Sequence, residues 1–235
     1  MPVDIKYCGL TRADDARVAE SLGARYLGFV FAPSPRQVSV EQVEALLHAL
    51  DTREPNGEDR ADAVPRSPRG ARPLRVGVFA DTDTARIVAT VARLSLDVIQ
   101  LHGVAMSALV RELRSATSVQ LWTVVPVDAN GPDDAALEAA ALGDGLLFDT
   151  KVDGRLGGTG ERFDWERMRG VVAPLRGARP IILAGGLRPE NVARAIAIFA
   201  PDVVDVSSGV ERAPGIKDPA RMRAFAIASH GAAPA

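Results

Sequence analysis

Short apolar runs alternate with amphipathic helical patterns along most of the chain. This alternation is typical of an α/β protein. The predicted strands are Val3–Tyr7, Tyr26–Phe31, Leu74–Phe79, Val98–Leu101, Val119–Val125, Leu146–Phe148, Pro180–Ala184 and Val203–Val206. The predicted helices include Asp14–Leu22, Val40–Leu50, Thr84–Leu94, Ala105–Ser115 and Pro189–Phe199. Asp14, Asp83 and Asp164 stand where an N-cap or a first-turn acid belongs, and Pro189 suits a first helical turn.

A repeated order of strand then helix implies parallel strands joined by right-handed crossovers. Eight such units predict a closed (β/α)₈ barrel, with a doubly wound open sheet as the alternative. The turn after the first predicted strand reads CGLTRADD and lacks the G-x-G-x-x-G pattern of a dinucleotide-binding sheet. The sequence therefore predicts an α/β fold with a single TIM barrel domain over residues 1–230.

The segment Asp51–Pro73 interrupts the alternation. It is rich in proline, glycine and charges of both signs and has almost no apolar residue. Loops longer than about 12–15 residues are uncommon in compact domains unless they are functional or disordered. We predict a mobile insertion between helix 2 and strand 3, with a partner-binding loop as the alternative, and a frayed tail at Gly231–Ala235.

Composition and charge narrow the class of protein. Of the 235 residues 47% are hydrophobic and 25% are charged, and the net charge is −2, which fits a globular protein and excludes a strongly basic surface for nucleic acid. Cys8 is the only cysteine, so one chain can form neither an internal disulfide nor a multi-cysteine metal site. The first residues lack the pattern of a signal peptide, and no apolar run is long enough to span a membrane. We expect a cytoplasmic protein without a nucleic-acid or membrane partner.

Enzymes with this barrel carry their active sites at the carboxyl ends of the strands. Side chains alternate between the two faces of a strand, so Val3, Ile5 and Tyr7 should contact helices while Cys8 points into the barrel mouth. By the same alternation Asp149 points inward after strand six. Lys6 and Asp205 also point inward from neighbouring strands, and we expect them to pair because a lone buried charge is costly.

Cys8 and Asp149 face one barrel mouth from different strands, and this placement predicts a base and an acid for proton transfer. Cys8 would need a pKa below the thiol value of about 8.5, and Lys6, Arg36 or the surroundings of the substrate could lower it. Asp149 would have to be protonated. The simpler alternatives are a buried apolar role for Cys8, a helix cap or ion pair for Asp149 and a solvated loop position for Arg36.

Three glycine-rich segments follow predicted strands six, seven and eight. Glycine allows backbone N–H groups to approach an anion closely, and the loops after strands seven and eight form the recurring phosphate site of such barrels. Taken singly, each glycine pair serves a turn equally well. Together they predict a phosphate site made of Gly158, Gly160, Gly185, Gly186, Ser207, Ser208 and Gly209.

Several stretches match a known family in order along nearly the whole barrel. They read IKYCGLTRADDA, LGFVFAPSPRQVS, RVGVFAD, VIQLHG, LLFDTKVDGRLGGTGERFDW, ILAGGLRPENV and VDVSSGVERAPGIKD. On these motifs the chain resembles the phosphoribosylanthranilate isomerases of tryptophan biosynthesis. The main departure is the Asp51–Pro73 insertion, which is longer than the usual link at that place.

The resemblance implies an Amadori rearrangement of N-(5-phosphoribosyl)anthranilate to 1-(2-carboxyphenylamino)-1-deoxyribulose 5-phosphate. It implies that Cys8 is the general base, that Asp149 is the general acid and that Arg36 contacts the substrate. It also implies a small phosphosugar substrate, no cofactor and no metal, and a monomer or a homodimer.

Three alternatives differ in their chemistry. The related aminoaldose isomerase of histidine biosynthesis has an aspartate where this chain has Cys8. Indole-glycerol-phosphate synthase relies on lysine at the barrel mouth, and only Lys6, Lys151 and Lys217 are present here. A non-catalytic phosphosugar-binding barrel would bind the substrate without converting it.

Overall fold

Eight parallel strands form a closed barrel in the computed structural model of the chain. The structure describes residues 3–52, 72–103, 106–128, 131–132, 137–138, 140–152, 155–156 and 165–232. The barrel strands are β1 (Asp4–Tyr7), β2 (Tyr26–Val30), β3 (Leu74–Phe79), β4 (Val98–Leu101), β5 (Gln120–Asp128), β6 (Gly145–Val152), β7 (Ile181–Leu183) and β8 (Val203–Val206). Each strand pairs in parallel with the next, and β8 pairs with β1 to close the ring. The (β/α)₈ prediction is confirmed.

Helices follow the strands and cover the outside of the barrel. Within the described residues they are α1 (Ala13–Ser21), α2 (Val40–Asp51), α3 (Thr84–Leu94), α4 (Met106–Ala116), α5 (Trp165–Val172), α6 (Val192–Phe199) and α7 (Pro219–His230). Side-chain caps fix several starts: Ser39 forms a capping box with Gln42, and Asp83 accepts a hydrogen bond from the backbone of Arg86. Asp14 lies in the first turn of α1, as expected.

Several element boundaries differ from the prediction, and two of them bear on the site. Helix α6 begins at Val192 and not at Pro189, because the side chain of Asn191 accepts from the backbone N–H of Arg188 and holds the preceding residues in a turn. Strand β6 continues beyond Phe148 to Val152, because its pairing with β5 extends to Thr150. Asp149 therefore lies within a strand and not after one. Asp164 falls outside the described residues.

The insertion and the tail are described only at their edges. Asp51 is the last residue of α2, so this helix extends one residue into the predicted insertion. Residues 53–71 and 233–235 lie outside the described part of the chain. None of the helices in the described part is both long enough and apolar enough to cross a lipid bilayer.

Strand alternation separates two apolar cores. Tyr26, Val98 and Trp122 belong to a cluster that fills the inside of the barrel, and the Tyr26 and Trp122 rings meet edge to face at 4.8 Å. The larger cluster lies between the strands and the helices and includes Ile5 and Tyr7. The Tyr7 hydroxyl donates to the carbonyl of Met222 on α7, so this side chain faces outward as predicted.

Lys6 and Asp205 form an ion pair inside the barrel. They are register partners on β1 and β8, and Lys6 Nζ lies 2.7 Å from Asp205 Oδ2. The Lys6 side chain has no exposed surface and Asp205 is 6% exposed. The desolvation cost of each charge is offset by the other, which confirms the predicted pairing.

Replacing Lys6 alone should destabilise the barrel strongly. We expect Lys6→Met to lower the free energy of unfolding by about 3–5 kcal/mol, because it leaves the Asp205 carboxylate buried without its cation. The double variant Lys6→Met/Asp205→Leu should recover most of the loss, since it buries no charge. Urea denaturation of the three proteins checks this, and a double variant no more stable than Lys6→Met would contradict it.

Candidate active site

A cavity of about 530 Å³ opens at the carboxyl ends of the barrel strands. It brings together eight of the ten residues that the sequence predicts for the site. They are Cys8, Arg36, Asp149, Gly185, Gly186, Ser207, Ser208 and Gly209. The other two, Gly158 and Gly160, lie outside the described residues.

Cys8 directly follows β1 and is 9% exposed at the cavity wall. Its backbone N–H donates to the carbonyl of Val206 at 2.9 Å, which continues the pairing of β1 with β8. Gly28 on β2 provides the space for its side chain, since a Cβ there would lie 3.1 Å from Cys8 Sγ. The same Cβ would lie 3.2 Å from Cε of Lys6, so one glycine makes room for both side chains.

Charges of both signs surround the Cys8 thiol. Burial raises its pKa, and the Lys6 ammonium lowers it by charge and by a hydrogen bond. The Asp205 carboxylate raises the pKa and the Lys217 ammonium lowers it. The net shift is upward, so the lowered pKa that a base needs near neutral pH is not supplied by the protein's own charges in the ligand-free site. The effect of burial on the pKa of the thiol outweighs that of the two lysines.

The pH dependence of Cys8 alkylation tests whether the pKa of the thiol is raised. Only the thiolate reacts with iodoacetamide, so the rate rises about tenfold per pH unit until the pH reaches the pKa of the thiol. Because burial raises the pKa of Cys8, we expect the rate to keep rising beyond the pH at which free cysteine levels off. Cys8 is the only cysteine, so mass spectrometry assigns the product without ambiguity. A plateau below pH 8 would contradict the account.

Asp149 reaches the same cavity from β6. It lies opposite Pro126 in the pairing of β5 with β6 and is 7% exposed. Its strand neighbour Phe148 belongs to the outer core, so Asp149 points inward as predicted. Strands β7 and β8 separate it from Cys8 around the barrel.

Gln100 and His102 also line the cavity, from β4 and the residues that follow it. The sequence analysis did not select Gln100 for the site. Strand alternation would have found it, because Ile99 and Leu101 face the outer core and turn Gln100 inward.

Glycines shape the loops after β7 and β8. Gly185 and Gly186 have φ values of +85° and +63°, which favour glycine. A Cβ on Gly209 would lie 1.8 Å from the carbonyl oxygen of Leu187, so the two loops touch only because this residue is glycine. Asn191 donates from its side-chain amide to the carbonyl of Gly186 and holds the loop after β7. This loop pair can bring backbone N–H groups close to an anion.

Arg36 is held by a residue that sequence reasoning did not select. Its Nε and Nη2 donate to the two carboxylate oxygens of Glu211, each at 2.8 Å. Glu211 also contacts Lys217, whose Nζ lies 2.9 Å from Oε1. One edge of the guanidinium is thus occupied by the protein, which leaves Nη1 and the second Nη2 proton for a substrate group. The only sequence signal for Glu211 and Lys217 was the matching stretch VERAPGIKD.

The closed parallel barrel and the polar cavity at its carboxyl end define an enzyme of the (β/α)₈ class. Comparison with known proteins gives the family. The family model of N-(5'phosphoribosyl)anthranilate (PRA) isomerase matches residues 61–228. The chain belongs to this family.

Individual relatives agree over almost the full length. The chain is 40% identical to the N-(5'-phosphoribosyl)anthranilate isomerase of Paracoccus denitrificans over 229 residues, which covers 96% of both chains. The structure of the phosphoribosyl anthranilate isomerase of Thermotoga maritima is similar with a TM-score of 0.76 and 31% identity, covering 97% of this chain and 99% of that one. Another phosphoribosyl anthranilate isomerase, solved in complex with reduced 1-(o-carboxyphenylamino)-1-deoxyribulose 5-phosphate, is similar with a TM-score of 0.72 and 30% identity over 97% and 99% of the two chains.

Proposed function

We propose that this chain catalyses the Amadori rearrangement of N-(5-phosphoribosyl)anthranilate to 1-(2-carboxyphenylamino)-1-deoxyribulose 5-phosphate in tryptophan biosynthesis. Cys8 is the general base and Asp149 is the general acid. The observation that supports the two roles is their placement: both side chains are buried in one cavity and reach it from different strands of the ring. Family membership supports the reaction and the substrate.

Ring opening is the first step of the proposed mechanism. Protonated Asp149 donates its proton to the furanose ring oxygen, and the C1–O bond breaks to give a hydroxyl and an iminium. The nitrogen of the substrate supplies the electron pair for this cleavage. For this step Asp149 has to hold one proton next to the ring oxygen, as a positioned carboxylic acid does when it acts as a general acid.

Removal of the C2 proton is the second step. The Cys8 thiolate takes this proton and the electron pair moves to the iminium, which gives a neutral enolamine. The enolamine becomes the ketone when C1 gains one proton and the C2 hydroxyl loses one, and both side chains then regain their starting states. The positive iminium favours the thiolate, because a nearby cation lowers the pKa of a thiol. It therefore acts against the burial that raises the pKa of Cys8 in the free protein.

The two ends of the substrate need different groups. We assign the phosphate to the backbone of the loops after β7 and β8, with Gly158 and Gly160 as further candidates. Arg36 offers its remaining N–H edge to an anionic substrate group, as a guanidinium fork does for a carboxylate. The cytoplasmic setting, the monomeric or homodimeric state and a single domain over residues 1–230 are further parts of this proposal.

Turnover of two substrates, offered separately, tests the function. We expect the protein to abolish the anthranilate fluorescence of freshly prepared N-(5-phosphoribosyl)anthranilate and to leave the aminoaldose of histidine biosynthesis unchanged. Turnover of the aminoaldose alone would overturn the proposal in favour of the histidine-pathway isomerase. Binding of the first substrate without conversion would favour a phosphosugar-binding barrel.

A further inference from the structure

We propose that Lys217, together with Glu211, is a positioning residue that fixes the Cys8 backbone and the Arg36 guanidinium relative to each other. The inference rests on the roles of Cys8 and Arg36 proposed above. Neither Lys217 nor Glu211 lines the cavity, so both act through the residues they hold.

Lys217 connects the ends of two neighbouring barrel strands. Its Nζ donates to the carbonyl of Cys8 at 2.6 Å, to the carbonyl of Ser207 at 3.1 Å and to Glu211 Oε1 at 2.9 Å. An ammonium group has three protons, so these three acceptors use all of them. The side chain has no exposed surface, and no water competes for the bonds.

The peptide groups on both sides of Cys8 are therefore fixed. Its N–H donates to Val206 of β8, and its carbonyl accepts from Lys217. A base that removes a proton from carbon has to stay within a few tenths of an ångström of its working position. Lys217 provides the second of the two restraints on the Cys8 main chain.

Glu211 extends the arrangement to Arg36. Its Oε1 accepts from Arg36 Nε and Lys217 Nζ, and the Gly215 N–H lies 3.3 Å from the same oxygen. The Arg36 side chain runs closely over Gly9, where a Cβ would lie 2.6 Å from Arg36 Cδ. The guanidinium is thus held between the turn after β1 and the Glu211 carboxylate. Displacing Glu211 would release it.

A short hairpin carries Glu211 and Lys217 and is tied to the start of α1. Its two strands are Glu211–Ala213 and Ile216–Lys217. Thr11 Oγ1 donates to the carbonyl of Gly215 at 2.5 Å, and the N–H of Lys217 donates to Asp15 Oδ2 at 3.1 Å. These contacts assign a role to parts of two matching stretches that the acid–base mechanism leaves unused, Gly9–Asp15 and Gly215–Asp218.

Two variants separate the two parts of the arrangement. We expect Lys217→Met to lower kcat about 10²-fold, because a small displacement of a catalytic group has this effect. It should also shift the pH dependence of the Cys8 alkylation rate to higher pH, because it removes a positive charge beside the thiol. The other charged and titratable groups that face the thiol stay in place in this variant: Lys6, Asp205 and Arg36 next to it, and Asp149 and His102 across the cavity. Glu211→Gln should mainly raise KM, because Arg36 loses its bidentate partner. It should not shift the pH dependence of the Cys8 alkylation rate to higher pH.

Tyr7→Phe is the matched control. It also removes a buried hydrogen bond between β1 and the C-terminal part of the chain, but on the outer face of the strand beside Cys8. We expect it to lower the melting temperature and to leave kcat, KM and the alkylation curve unchanged.

A merely structural role for Lys217 would make Lys217→Met behave like Tyr7→Phe, and that result would overturn the inference. If Lys217→Met does not fold, Lys217→Gln, which keeps a donor but no charge, should show the same shift of the alkylation curve. An unshifted curve in this variant would equally overturn it. The alkylation needs no substrate. If the wild-type protein does not convert the substrate, that result contradicts the proposed function, but the alkylation test of Lys217 still applies.

Discussion

Replacing Cys8 by serine is expected to lower kcat about 10²–10⁴-fold, the contribution of a positioned general base. The serine hydroxyl fills nearly the same volume but does not ionise in the accessible pH range, so the C2 proton has no acceptor. Decay of substrate fluorescence gives the rate. The barrel should stay intact, because the substitution is close to isosteric at a site that Gly28 keeps open.

The melting temperature of Cys8→Ser is the control for folding. Turnover of this variant at the wild-type rate would assign the proton transfer to another group. Burial raises the pKa of the thiol in the free protein, whereas the measured loss of kcat reports the base as it exists in the substrate complex.

Asp149→Asn should lower kcat by a similar factor of about 10²–10⁴, because the amide holds no transferable proton for the ring oxygen. The change keeps the shape of the side chain within β6. The same fluorescence assay measures it, at substrate concentrations that separate kcat from KM.

Asp81→Asn is the matched control for the aspartate substitution. Asp81 also follows a barrel strand at the same rim, but its carboxylate pairs with Arg86 and does not line the cavity. We expect this variant to keep kcat within about twofold, as surface substitutions usually do. Equal losses in Asp81→Asn and Asp149→Asn would contradict a specific role for Asp149.

The alternation of side chains along the strands was sufficient to predict the centre of the site. It turned Lys6 and Cys8 inward from β1 and Asp205 inward from β8, and the structure confirms the Lys6–Asp205 pair. These predictions succeed because barrel closure makes the first and last strands neighbours, and parity then decides which side chains meet.

The alternation of side chains could not predict contacts between loops that are distant in the sequence. Lys217 binds the carbonyl of Cys8, 209 positions away, and no periodic pattern places a hairpin lysine there. The direction of the pKa shift of Cys8 in the free protein could not be predicted either, because the sequence shows which charges are near but not how much burial opposes them. The start of α6 was missed because a side-chain bond of Asn191 decides it locally.

Binding and turnover, measured on the same three proteins, test the central claim most directly. Wild type, Cys8→Ser and Asp149→Asn are titrated with reduced 1-(o-carboxyphenylamino)-1-deoxyribulose 5-phosphate, the reduced form of the product, and then assayed for fluorescence decay of the substrate. The account predicts Kd values within a few-fold of one another and turnover by the wild type alone. Undiminished turnover by either variant, with intact binding, would contradict the assignment of Cys8 and Asp149 as base and acid.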